Sequence, residues 1–120
     1  MSESLENQLD KNRQTWSELN EMGVRPGDMI EFDAFFFAPD EEGANQLAAA
    51  LATAGWVTDV SSLETGVFRR KVTWSVSASK QVPAVDLAKL DELVTELEAA
   101  AARHGAEFDG WGTEVQEGSN

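Results

Sequence analysis

The sequence contains no cysteine, no tyrosine and a single histidine, His104. The absence of cysteine excludes disulfides and thiol chemistry and fits a reducing compartment. A lone histidine just before Gly105 suits the negative end of a helix dipole, and nothing sets it beside a nucleophile. The serine pair Ser61 and Ser62 likewise has no base that the sequence places near it. Basic residues are scarce: 9 Lys and Arg stand against 22 Asp and Glu, a formal net charge of −13 at pH 7. Such a surface repels nucleic-acid phosphates, whose binding needs Lys and Arg to displace counterions, and it steers basic partners toward it. No apolar run approaches the roughly 20 residues of a membrane span. The opening MSESLENQLDKNRQ lacks the basic start and apolar block of a secretory signal. Metal-ligand spacing is missing too, since DEEG and DELVTE read as capping and solvated helix faces. No catalytic site, metal or cofactor is expected.

What is present is a chain of 120 residues, 42 % of them hydrophobic, enough for a core without staples. One domain is expected over 1–120, with a leading helix in 1–23, a core in 28–115 and a frayed tail in 116–120. Leu5, Leu9, Trp16 and Leu19 fall at helical spacing, with Asn12 where another leucine belongs. After the turn VRPGD, the stretch Met29–Ala38 alternates as a strand. Asp40 is the expected N-cap of a helix carrying Ala44, Leu47, Ala48, Leu51 and Ala54 inward, and Gly55 stops it. A short strand follows from Trp56, then the turn ETG. A longer strand over Val67–Ala78 has Val72, Trp74, Val76 and Ala78 on its dry face. A second helix near Ala84–His104 and a last strand at AEFDGWGTEV complete the order. Helix plus β-α-β-β-α-β gives an α+β, ferredoxin-like two-layer sandwich with an extra N-terminal helix. In it the first and third strands are central neighbours, and the last strand lies beside the first. The leading helix must find the sheet edge, the open face or a partner.

The stretch Phe108-Asp109-Gly110-Trp111-Gly112-Thr113 is the most distinctive. Simple alternation puts Phe108, Gly110 and Gly112 toward the helices, where glycines permit close approach or a bulge. Asp109 and Trp111 then point to the face without helices, beside Phe35 or Phe37. Aromatics anchor interfaces, so this is a candidate protein-binding patch with Glu31 and Asp33 as neighbours. The competing reading buries Trp111 under the leading helix with Trp16 and Leu19. A Trp111→Ala change separates the two: lost binding with the fold intact supports the patch, and unfolding supports the core. Glu31 and Asp33 share one strand face, and Arg69 and Lys71 share a face of the neighbouring strand, so weak cross-strand salt links are expected. Arg69-Arg70-Lys71 is the basic cluster of the chain. It lacks the Lys/Arg-Gly-aromatic signature of an RNA-binding sheet, and Glu31, Asp33 and Asp109 would share its surface. Direct nucleic-acid binding is not expected.

The element order, the acidic leading helix, the closing motif from Phe108 to Thr113 and the turn AGWVTDV (Ala54–Val60) resemble the RraB family, regulators of ribonuclease E activity. The resemblance spans most of the chain. It implies a small cytoplasmic ferredoxin-like protein that inhibits ribonuclease E by binding the enzyme, without chemistry on RNA. It departs at the end, where family members often carry a long, very acidic tail and here QEGSN follows Val115. The expected partner is thus a protein, ribonuclease E or another basic enzyme, met by a monomer or homodimer. Alternatives in other classes are an immunity-type inhibitor of another enzyme or toxin, a sheet-mediated homodimeric module and a small-molecule-binding domain.

Overall fold

In IEFDAFFFA, every second residue from Ile30 to Ala38 is buried, and those between are exposed or half-buried. That alternation makes β1 (Ile30–Ala38) a strand with one dry face. The computed structural model of the chain describes residues 3–65 and 71–113. Around β1 it sets α1 (Glu3–Glu21), α2 (Glu41–Thr53), β2 (Val57–Thr65), β3 (Lys71–Val82), α3 (Leu87–Arg103) and β4 (Glu107–Gly112). The strands form one sheet in the order β2-β3-β1-β4, with every neighbouring pair antiparallel. This is the ferredoxin-like α+β sandwich that the element order implied, with the leading helix added.

Local chemistry sets the helix starts. Asp40 accepts from the Gly43 amide at 2.7 Å and Asp86 from the Lys89 amide at 2.7 Å. Each satisfies a donor left without a partner in the first turn. Gly55, at φ +99°, ends α2. The inward stripes are Ala44, Leu47, Ala48 and Leu51 on α2, and Leu90, Leu93, Val94, Leu97 and Ala101 on α3. They close over Phe32, Ala34, Phe36, Val76 and Ala78 of the central strands. α2 lies over β2 and β3, α3 lies over β4 and beside α2, and α1 packs on α3. The helices therefore stand in the order α2-α3-α1 on one side of the sheet. The leading helix lengthens that layer past β4, and no described helix covers the other sheet face, here called the bare face.

Several boundaries differ from the sequence reading. β3 continues past Ala78 to Val82, because Ser79–Val82 pair with the first half of β1. Small polar residues there hide a strand that β1 needs as a partner. β2 likewise runs on to Thr65. Val72, expected on the dry face, is exposed, since β1 ends opposite Trp74 and the β2–β3 hairpin extends beyond it. The register does not set Lys71 across from Glu31 or Asp33, where a cross-strand salt link was expected, and Arg69 lies outside the described residues. Register sets Glu31 opposite Gln81 and Asp33 opposite Ser79, while Lys71 sits at the far end of β3 opposite Thr65. The strand start at Val67, Arg69 and Arg70 of the basic cluster, Val115 and the tail 116–120 lie outside the described residues.

Candidate protein-binding site

The last strand is built around an inserted residue. Gly112 pairs with Asp33, Trp111 with Ala34 and Gly110 with Phe35, but Phe36 pairs with Phe108. Asp109 is the extra residue of a β-bulge, and Gly110 takes φ +142°, where a side chain is strained. The insertion shifts the phase of alternation by one. Phe108 and Trp111 therefore both face the helix layer, and Gly110 and Gly112 fall in register with Phe35 and Asp33 of the bare face. This corrects the expectation that Trp111 lies on the bare face and the glycines under the helices: strict alternation holds only for a strand without a bulge.

Trp111 is half-buried. Its ring stacks on Phe32 at 4.4 Å between centroids and 13° between planes. Phe108 meets Phe36 at 5.1 Å. Such aromatic pairs contribute about 0.5–1.5 kcal/mol beyond their buried area. The indole Nε1 of Trp111 donates to Asn12 Oδ1 at 2.8 Å, and Asn12 Nδ2 donates to Asp91 Oδ1 at 2.9 Å. Asn12 is 0 % exposed. Its amide thus bridges β4 to α3 from the middle of α1, which explains an asparagine in a leucine position. Sequence reasoning noticed the break in the stripe but not its partners, which lie 79 and 99 residues away.

On the bare face, the ladder sets residues in rows across the sheet. One row reads Asp59, Ser77, Phe35, Gly110; the next reads Ser61, Ser75, Phe37, Glu107. A third reads Val57, Ser79, Asp33, Gly112. Phe35 and Glu31 are exposed, and Phe37 and Asp33 are half-buried. Ser79 donates to the Asp33 carboxylate at 2.7 Å. The Asp59 and Asp109 carboxylates make no hydrogen bond or ion pair among the described residues. No lysine or arginine side chain among the described residues falls in these rows. Phe35, Phe37, Asp59, Ser75, Ser77 and Asp109 line a shallow groove of about 320 Å³. A second groove, of about 340 Å³, lies between α1 and β4, with Gln8, Lys11, Gln14 and Thr15 on one wall and Asp109, Gly110 and Trp111 on the other. Asp109, displaced by the bulge, lines both.

The structure therefore brings Phe35, Phe37, Asp33, Glu31 and Asp109 to the bare face or its β4 rim. It places Trp111 round the corner, on the helix side. Asp59 and the serines of β3 were not singled out beforehand. The polar alternation of β3 was visible in the sequence, but the register that sets Asp59 opposite Ser77 was not. Among the described residues, no group of three or more His, Cys, Asp or Glu could hold a metal ion, and no helix is long and apolar enough to cross a membrane.

Fold and surface together define a ferredoxin-like α+β protein whose described helices form one layer on one side of the sheet and whose other face presents aromatic and acidic side chains. Within that class the chain belongs to the RraB family, regulator of ribonuclease activity B, whose profile matches residues 9–113. The resemblance carried by the Phe108–Thr113 motif thus holds over nearly the whole chain, and the family is one of regulators of ribonuclease activity. No curated protein matches the chain at a significant level. Among solved structures, CutA from Synechococcus elongatus PCC7942 is similar at a TM-score of 0.44 and 18% identity, over 77% of this chain and 81% of that one. That likeness is too distant to carry any argument.

Proposed function

We propose that this protein is a non-enzymatic regulator that restrains a ribonuclease of the ribonuclease E kind by binding it. The contact surface is the bare sheet face with its β4 rim: Phe35 and Phe37 as anchors, and Asp109, Asp33 and Glu31 as acidic neighbours. Trp111 supports that rim from the helix side and contributes the edge it leaves in the α1–β4 groove. The observation that carries this reading is a sheet face that no described helix covers, with Phe35 46 % exposed among acidic side chains, in a chain of a ribonuclease-regulator family. Aromatics that remain on a surface are efficient interface anchors, and rim charges set the approach of a partner.

An enzyme that handles RNA presents Lys and Arg to phosphates. A chain with net charge −13 competes for those same groups, so occlusion of the RNA path is the simplest mechanism. The acidic rows disfavour direct RNA binding. The test is RNA cleavage by ribonuclease E with increasing amounts of this protein, alongside binding measured by calorimetry. Phe35→Ala and Asp109→Asn, both exposed positions, should weaken inhibition and binding together and leave the circular dichroism spectrum unchanged. Wild-type protein that neither binds nor inhibits the enzyme would sink the proposal.

A further inference from the structure

A phenylalanine in a sheet ordinarily leans on its cross-strand neighbours. Phe35 has none large enough, because its partners are Ser77 on β3 and Gly110 on β4. It is 46 % exposed, with Phe37 and Asp109 beside it in the same groove. On β3, Ser75 and Ser77 form a low floor one strand wide. Phe35 and Phe37 wall it on the β1 side, and Asp59 and Ser61 wall it on the β2 side. The walls are two strand spacings apart, roughly 9.6 Å. The hydroxyls of Ser61 and Ser75 bond to each other at 2.8 Å, so they engage one another rather than the groove. The Asp59 and Asp109 carboxylates make no hydrogen bond or ion pair among the described residues.

We propose that this trough receives an arginine side chain from an extended segment of the partner. The guanidinium lies against the Phe35 ring, and its N–H fork donates to the carboxylate of Asp59 across the floor. This rests on the regulator reading above and names what the bare face recognises. The chemistry selects arginine over lysine: a guanidinium is planar, weakly hydrated, stacks on aromatic faces and pairs with carboxylates in a fork. An ammonium keeps its water and gains little from the ring. It also selects arginine over a nucleic-acid base. A base stacked on Phe35 would bring its phosphate among Asp33, Asp59 and Asp109, with no described cation in these rows to receive it.

The test uses the whole chain and three fluorescent probes: a short peptide with arginines alternating with glycine and serine, the same peptide with lysines, and a single-stranded RNA oligomer. Anisotropy is read at fixed ionic strength for wild type, Phe35→Ala, Asp59→Asn and the charge-matched control Glu92→Gln on α3. The arginine peptide should bind at least tenfold more tightly than the lysine peptide. Phe35→Ala and Asp59→Asn should each weaken it at least fivefold and shrink the arginine preference, while Glu92→Gln changes it less than twofold. Equal affinity for both peptides, indifference to Phe35→Ala, or RNA binding that Phe35→Ala removes would overturn the proposal. Inhibition of ribonuclease E, measured in parallel, separates the two readings. Inhibition that survives both Phe35→Ala and Asp59→Asn sinks the trough and Phe35 as an anchor, and leaves the regulatory activity itself standing. Arginine-selective binding without inhibition by wild type does the reverse.

Discussion

Asn12 holds three elements through one amide, accepting from Trp111 and donating to Asp91. Truncating it strands the Trp111 N–H at a packed boundary and removes a donor from Asp91. Leaving a buried polar group unsatisfied costs about 1–3 kcal/mol, so Asn12→Ala should lower the stability measured by urea denaturation by about 2 kcal/mol. Trp111→Phe keeps an aromatic ring on Phe32 but loses the indole donor, and should cost about 1 kcal/mol. Trp111→Ala also empties the stack, and large-to-small aromatic changes cost about 3–5 kcal/mol. A binding defect in Trp111→Ala would therefore mix lost contact with lost stability, which is why Phe35 and Asp109 are the cleaner probes. The sequence showed that Asn12 interrupts an apolar stripe. It could not show what the asparagine meets, because both partners come from elements brought near only by the completed fold.

At the scale of the element, β4 depends on its bulge. Gly110 adopts a backbone angle that L side chains rarely take, while an added Cβ on it would meet only Gln8 Oε1 at 3.9 Å. The penalty for Gly110→Ala is thus conformational, about 1–3 kcal/mol. Gly112 has an ordinary φ and open space around it, so Gly112→Ala should stay within about 0.5 kcal/mol of wild type. Thermal denaturation of the two variants tests the asymmetry, and equal losses would contradict the bulge. The existence of this strand was legible from its aromatics and its place after Gly105. Its phase was not, because alternation counts residues and cannot see that Asp109 steps out of the ladder. The same limit shortened β3, whose Ser-Ala-Ser-Lys-Gln run has little strand character of its own and is held by pairing with β1.

At the scale of the whole molecule, the order of strands followed from punctuation: Pro39, Gly55, Pro83 and Gly105 mark off units long enough to be read as β-α-β-β-α-β. The seat of α1 did not follow, because its thin stripe allowed the sheet edge, the bare face or a partner. In the structure α1 buries Leu19 and Asn12 and packs on α3. Removing residues 1–21 should therefore cost at least about 3 kcal/mol, on the scale of a lost core leucine plus an orphaned polar group. A loss under about 1 kcal/mol in urea denaturation would contradict this packing. The net charge of −13 also acts at this scale. Attraction to a basic partner is screened as the Debye length falls from about 10 Å at 0.1 M salt to about 3 Å at 1 M. Association with the ribonuclease should slow by at least tenfold across that range, while dissociation changes less. Stopped-flow mixing at several salt concentrations reads both rates.

Asp109 belongs to two concavities because the bulge lifts it onto the crest between them. A polypeptide wrapped over that crest could grip the sheet and the first helix at once, with one carboxylate as its pivot. Two separate visitors could not share it, so occupation of either hollow would tell against occupation of the other.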